Sequence, residues 1–129
     1  LSPIGSMIPH HLRDPKVSGD KLKSCGVAPP NVEVIIADED GKEVPRGTIG
    51  EILVRGPIVM QGYWNKPEET AAALRGGWLH TGDAAIMDED GLIFIVDRLK
   101  DMIISGGENV YSTEVENAIS VMPEIAEVS

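Results

Sequence analysis

The stretch WLHTGD (78–83) sets an imidazole, a hydroxyl and a carboxylate within four consecutive positions, His80, Thr81, Gly82 and Asp83. A plain connector needs only turn residues, so this cluster is the first place to look for chemistry. Asp83, behind Thr-Gly, has two readings. Its carboxylate can bond its own backbone N–H groups as an Asx-type turn. It can also accept two hydroxyl donors from a ribose, the logic by which acidic residues read a sugar in other nucleotide folds. His80 is likewise open between a packed, hydrogen-bonded structural residue and a base, and no obvious nucleophile or second base lies within the motif.

Further along, VDRLKD (96–101) places Arg98 and Lys100 among carboxylates after a strand-like run, which ordinarily means a solvated edge. Gly106-Gly107 is ordinary turn material, or a place where a narrow ligand passes so close to backbone that any Cβ would block it. Neither GxGxxG nor GxxxxGK[ST] occurs, so neither a dinucleotide fold nor a P-loop is supported. The tetrapeptide DEDG appears at 38–41 and again at 88–91. An EF-hand loop would need further ligands, a closing glutamate and flanking helices, which are missing, so both copies read as hairpin tips.

The elements that position these residues must be built from a sparse palette. Hydrophobic residues make up 42% of the 129-residue chain but aromatics only 4%, so the core rests on Val, Ile, Leu, Ala and Met. Asp plus Glu number 21 against 11 Lys plus Arg, a formal charge of -10. That field repels phosphate backbones and argues against nucleic-acid binding, while leaving room for a small anionic ligand held by a local cation or backbone N–H groups. Cys25 is the single cysteine, which rules out an intramolecular disulfide and fits a reduced, cytoplasmic setting. No metal site is expected, no apolar run reaches the roughly 18 residues of a membrane span, and the first residues lack a basic stretch followed by an apolar one. The sequence begins at Leu1 without an initiator Met and breaks off in mid-pattern at Ser129, so it reads as a fragment.

Residues 1–25 look extended or loop-like, with Lys16, Lys21 and Lys23 forming a basic patch. Alternation predicts strands over NVEVIIAD (31–38) and GEILVRG (50–56), joined as a hairpin, with a shorter apolar run at 57–64. A two-turn helix follows in 65–77: Asn65 and Glu68 have N-cap and N3 spacing, Pro67 suits the first turn, and Gly76-Gly77 stops it. Residues 78–88 and 92–101 read as strands around the second DEDG. After a short strand and the Gly-Gly turn, Thr113 and Glu116 form a capping box, with Ser112 an alternative cap. Val115, Ala118, Ile119 and Met122 make an apolar helical stripe that Pro123 ends, and a last strand begins at 124.

Taken together and in order, GEILVRGPIVMQGYWNKPEET, GGWLHTGD and VDRLKDMIISGGENVYSTEVE resemble three consecutive motifs of the adenylate-forming superfamily. That superfamily includes acyl-CoA synthetases, nonribosomal peptide synthetase adenylation domains and beetle luciferases. The resemblance covers residues 26–129 and is nearest to AMP-forming acyl-CoA synthetases for fatty or aryl acids. It implies a mainly β fold with an α+β tail: a loop from the end of a large N-terminal domain (1–25), a distorted β-barrel subdomain (26–97), and the truncated start of a small C-terminal domain (98–129). The implied parent activity is ligation of a carboxylic, especially fatty, acid to CoA through an acyl-AMP, using ATP, Mg2+ and CoA. Amino-acid activation for a carrier protein and a non-catalytic binding module are the alternatives.

By the same resemblance Asp83 and Arg98 hold the ATP ribose, Lys100 is the domain hinge, and Gly106, Gly107 and Glu108 line the pantetheine channel of CoA. Many relatives carry Pro where this chain has Ser112. The family's phosphate loop and magnesium-binding Glu would lie before Leu1, and its catalytic lysine after Ser129. The isolated chain is therefore expected to hold no catalytic residue, to bind no cofactor and to be inactive. Its open strand edges favour a homodimer, in one form by exchange of the C-terminal segment.

Overall fold

β-branched runs become strands where the alternation places them. The computed structural model describes residues 19–105 and 108–120. In chain order the strands and helices are β1 (Glu33–Ala37), β2 (Gly50–Arg55), α1 (Pro67–Ala73), β3 (Leu79–Met87), β4 (Ile93–Arg98), β5 (Ile103–Ser105), β6 (Glu108–Val110) and α2 (Ser112–Ser120). Single 3-10 turns occupy Gly19–Lys23, Arg75–Gly77 and Leu99–Asp101. The fold is mainly β with an α+β tail. Its barrel-like part takes the form of a four-stranded antiparallel sheet in the order β1-β2-β3-β4, and β5-β6 form a separate two-stranded ladder. The free side of β4 is extended by one more pairing, in which Cys25 N–H donates to Ile93 O and Ile93 N–H donates to Gly26 O.

One face of the sheet buries Val32, Ile36, Ile52, Val54, Ala85, Met87 and Ile93, an aliphatic cluster without an aromatic member. Ile36 lies opposite Ile52 across β1 and β2, and Val34 opposite Val54, so the register stacks like on like. β2 is the most deeply enclosed strand: Ile52, Leu53 and Val54 are all buried although they alternate between faces. Gly50, at its start, is pressed against β1. A Cβ there would lie 2.4 Å from the carbonyl oxygen of Ala37, a backbone atom that cannot swing away. Gly50→Ala is therefore expected to cost about 1–3 kcal/mol, read as a lower melting temperature of this chain.

The two DEDG segments are built alike. Oδ1 of Asp38 accepts N–H bonds from Asp40 and Lys42, and Oδ1 of Asp88 accepts them from Asp90 and Leu92. Both leading carboxylates are thus spent on closing hairpin tips, the turn reading of the sequence. The first tip does not lead straight into β2. It returns through Glu43 and Val44, which pair back onto Ala37 and Ile36 before the chain reaches Gly50.

Three local expectations need correction. Asn65 does not cap α1; it takes a left-handed φ of 54° and Lys66 occupies the N-cap without a side-chain bond. Thr70 does the anchoring instead, its hydroxyl donating to Lys66 O at 2.6 Å and accepting from Tyr63 N–H at 2.9 Å. Second, the strand expected over 92–101 ends at Arg98 and gives way to the 3-10 turn Leu99–Asp101. Third, α2 starts at Ser112, so Thr113 lies inside the helix and the expected capping box is out of register. The apolar run at 57–64 forms a turn (Val59 N–H to Gly56 O) and no strand. α1 also ends before the two glycines expected to stop it: Ala73 is its last residue and Leu74 its C-cap, and Gly76 and Gly77, with φ of 65° and 80°, lie in the 3-10 turn beyond. Met122, Pro123 and the strand expected from 124 lie outside the described residues. Among the described residues no helix is long and apolar enough to cross a membrane.

Candidate functional site

The His80–Asp83 cluster sits where β3 breaks register with β2. Glu51 pairs with Ala84 and Leu53 with His80, so Thr81, Gly82 and Asp83 stand opposite the single residue Ile52. Bulges of this kind bend a strand and re-aim its side chains. Gly82, at φ 76°, supplies the left-handed step that the bulge needs. Thr81 closes it: its hydroxyl donates to Ile52 O at 2.9 Å and accepts the Asp83 N–H at 3.1 Å. The hydroxyl of Thr81, and not the carboxylate of Asp83, thus makes the turn, so the Asx reading of Asp83 does not hold.

The Asp83 carboxylate points to the other neighbour, β4. Asp83 lies directly opposite Arg98 in the β3-β4 register, and Arg98 Nε is 3.6 Å from Asp83 Oδ1. A second irregularity next to it, between Ala84 and Ala85, twists the two strands further at the same level. The Asp83 side chain keeps 23% of its exposure and Arg98 52%, so both remain open to a ligand. A carboxylate so placed offers acceptors to a vicinal diol, and the guanidinium beside it offers donors. These are the two residues that the sequence resemblance assigns to the ribose, and the fold brings them side by side.

His80 faces away from this pair. Its Nδ1 lies 2.7 Å from Glu51 Oε2, and its side chain is only 10% exposed. This is the packed, hydrogen-bonded histidine of the two readings. Glu51 itself is the residue that reading the sequence missed. Its other oxygen accepts the Gly82 N–H at 3.0 Å, and Arg75 Nη2 approaches Oε2 to 3.7 Å. A signal was available, because period-2 alternation puts Glu51 on the same face of β2 as the buried Leu53. A cavity of about 500 Å³ borders this side of the bulge, lined by Glu51, Tyr63, Lys66, Arg75 and His80 but not by Asp83 or Arg98.

Lys100 occupies the 3-10 turn between β4 and β5 and is exposed, with Asp101 at 3.8 Å. Asp97, just before it, is buried. Its Oδ1 accepts the Arg98 N–H at 2.7 Å and its Oδ2 accepts the Ser112 hydroxyl at 2.8 Å. Ser112 therefore ties the first turn of α2 back to β4 across the Lys100 turn, a contact that a proline there could not make. Gly106 and Gly107 lie outside the described residues, as does the side chain of Glu108, whose backbone belongs to β6. The Cys25 Sγ donates to Ile93 O, and burial pushes its thiol up from the usual range, which disfavours the thiolate.

The profile of the AMP-binding enzyme family matches residues 3–64. A feruloyl-CoA synthase of an Amycolatopsis species is 53% identical over 106 residues, which are 82% of this chain and 22% of that protein. A medium/long-chain-fatty-acid–CoA ligase of Mycobacterium tuberculosis is 49% identical over 108 residues, 84% of this chain and 19% of its own length. The chain thus spans about a fifth of the curated relatives it matches. Among solved structures, o-succinylbenzoate CoA synthetase from Bacillus subtilis, in complex with its acyl-adenylate intermediate, superposes with a TM-score of 0.77 at 40% identity, over 88% of this chain and 23% of that one. With its three motifs, its antiparallel sheet and the Asp83–Arg98 pair, the chain belongs to the adenylate-forming superfamily of AMP-binding enzymes.

Proposed function

We propose that this chain is the ribose-holding and hinge part of a ligase that joins a fatty or aryl carboxylic acid to CoA. In such a reaction a carboxylate oxygen attacks the α-phosphorus of ATP and pyrophosphate leaves. The thiol sulfur of CoA then attacks the acyl carbon, the bond to AMP breaks and AMP departs. The observation that carries the reading is the Asp83–Arg98 pair on facing positions of β3 and β4.

Asp83 would accept the ribose hydroxyls while Arg98 fixes the carboxylate and donates alongside it. Lys100, in the exposed turn after β4, is the pivot about which residues 98–129 would turn relative to 26–97, a hinge absorbed by few residues. Gly106, Gly107 and Glu108 belong to the CoA side of the proposal, and magnesium to parts of the protein outside this chain. None of the chain's own residues would supply the cationic stabilisation of the transferring group.

Full-length protein carrying this segment is expected to form thioesters from ATP, CoA and a member of a panel of fatty and aryl acids, with AMP as the nucleotide product. The isolated chain is expected to form none. Adenylate formation from amino acids without CoA thioester would replace this reading with carrier-protein loading. Adenylate from no acid at all would favour a binding module.

A further inference from the structure

The bulge that presents Asp83 is held from β2, by a residue paired with Ala84 rather than with Asp83 or Arg98. With three β3 residues facing one on β2, the β2-β3 ladder is interrupted there, and side-chain bonds take over the hold on the step before Asp83. Glu51 spans the gap with both oxygens. Oε1 takes the Gly82 N–H at 3.0 Å, and Oε2 takes His80 Nδ1 at 2.7 Å. Gly82 and His80 flank Thr81, so one carboxylate clamps both ends of the step that precedes Asp83. The clamp is shielded: the Glu51 side chain is 12% exposed, and hydrogen bonds in such surroundings are stronger than in water.

We propose that Glu51 is a positioning residue for nucleotide binding. Through Gly82 it sets the direction of Asp83, and so the affinity and hydroxyl selectivity of a ribose site that it does not touch. The proposal rests on the ribose reading of Asp83. A merely structural glutamate would affect stability while leaving nucleotide selectivity alone.

The test uses full-length protein carrying this segment, with ATP and 3′-deoxy-ATP as the competing nucleotides. Glu51→Ala should raise the KM for ATP about tenfold with a smaller change in kcat, and should narrow the preference for ATP over 3′-deoxy-ATP. Glu51→Gln should rescue both, because its amide oxygen still accepts from Gly82 and its NH2 can donate to Nδ1 of the other histidine tautomer. Should the alanine variant fail to fold, Glu51→Asp withdraws the carboxylate by one methylene and is expected to show the same loss of preference. Amide hydrogen exchange on the same full-length protein reads the clamp without nucleotide: Gly82 should exchange about tenfold faster in Glu51→Ala. Wild-type selectivity in the alanine variant, or unchanged Gly82 exchange, overturns the proposal. If Asp83→Ala also keeps wild-type selectivity, it is the ribose reading itself that has failed.

Discussion

Asp83→Ala is expected to lower kcat/KM for ATP about a hundredfold in full-length protein, with the KM values for acid and CoA nearly unchanged. A hydrogen bond to a charged group contributes roughly 1.5–3 kcal/mol, and a carboxylate holding a diol makes two of them at once. Even partial replacement by water leaves about 2.7 kcal/mol, which is a factor of a hundred. The substitution also strips Arg98 of the carboxylate 3.6 Å away, so the second of the two proposed ribose contacts loses its anchor. Asp83→Asn should fall between the two, since the amide keeps one acceptor and adds a donor that hydroxyls can meet. Steady-state kinetics with ATP varied decide the matter. ATP parameters equal to wild type would remove Asp83 from the ribose.

Ile36→Ala is expected to act on the fold alone, destabilising this chain by about 2–5 kcal/mol. Ile36 is 2% exposed and faces Ile52 in the middle of the aliphatic cluster. Without aromatic neighbours to slide into the gap, the branched residues around it have few rotamers with which to fill a cavity. Total stabilities of domains run to only about 5–15 kcal/mol, so the loss is a large share. Urea unfolding should show a lower midpoint at an unchanged slope. Ile36 sits in β1, separated from β3 by β2, so nucleotide selectivity should survive wherever the variant remains folded. A midpoint equal to that of wild type would show that β1 is not part of the cooperative core.

Much of the architecture was legible because its causes are local. The two DEDG tips form from side-chain bonds that reach only two to four residues along the chain, so identical sequence gives identical turns. Helix starts were less legible. Asn65 has the right chemistry for a cap, but the chain enters α1 in a left-handed step and Thr70 takes over. At α2 the Ser112 hydroxyl is drawn to Asp97, a partner fifteen positions earlier. At α1 another local bond, four residues along, outbid a cap preference of about 1 kcal/mol, and at α2 a tertiary partner did so.

The candidate site divides the same way. The residue types and order of WLHTGD and VDRLKD, by themselves, were enough to name Asp83 and Arg98, because the resemblance is carried by side-chain identity and spacing. They could not choose between a turn aspartate and a ligand-facing one, nor assign His80. Those decisions depend on the register of three strands. A three-against-one bulge between β2 and β3 hands the turn to Thr81, turns Asp83 toward Arg98 and puts His80 against Glu51. Register comes from the packing of whole faces, and a slip of one residue would send each of these side chains to the opposite side of the sheet. That is why the partners of Glu51, more than thirty residues before Asp83, became visible only once the strands were laid side by side, although its place on an inward-facing position of β2 follows from alternation.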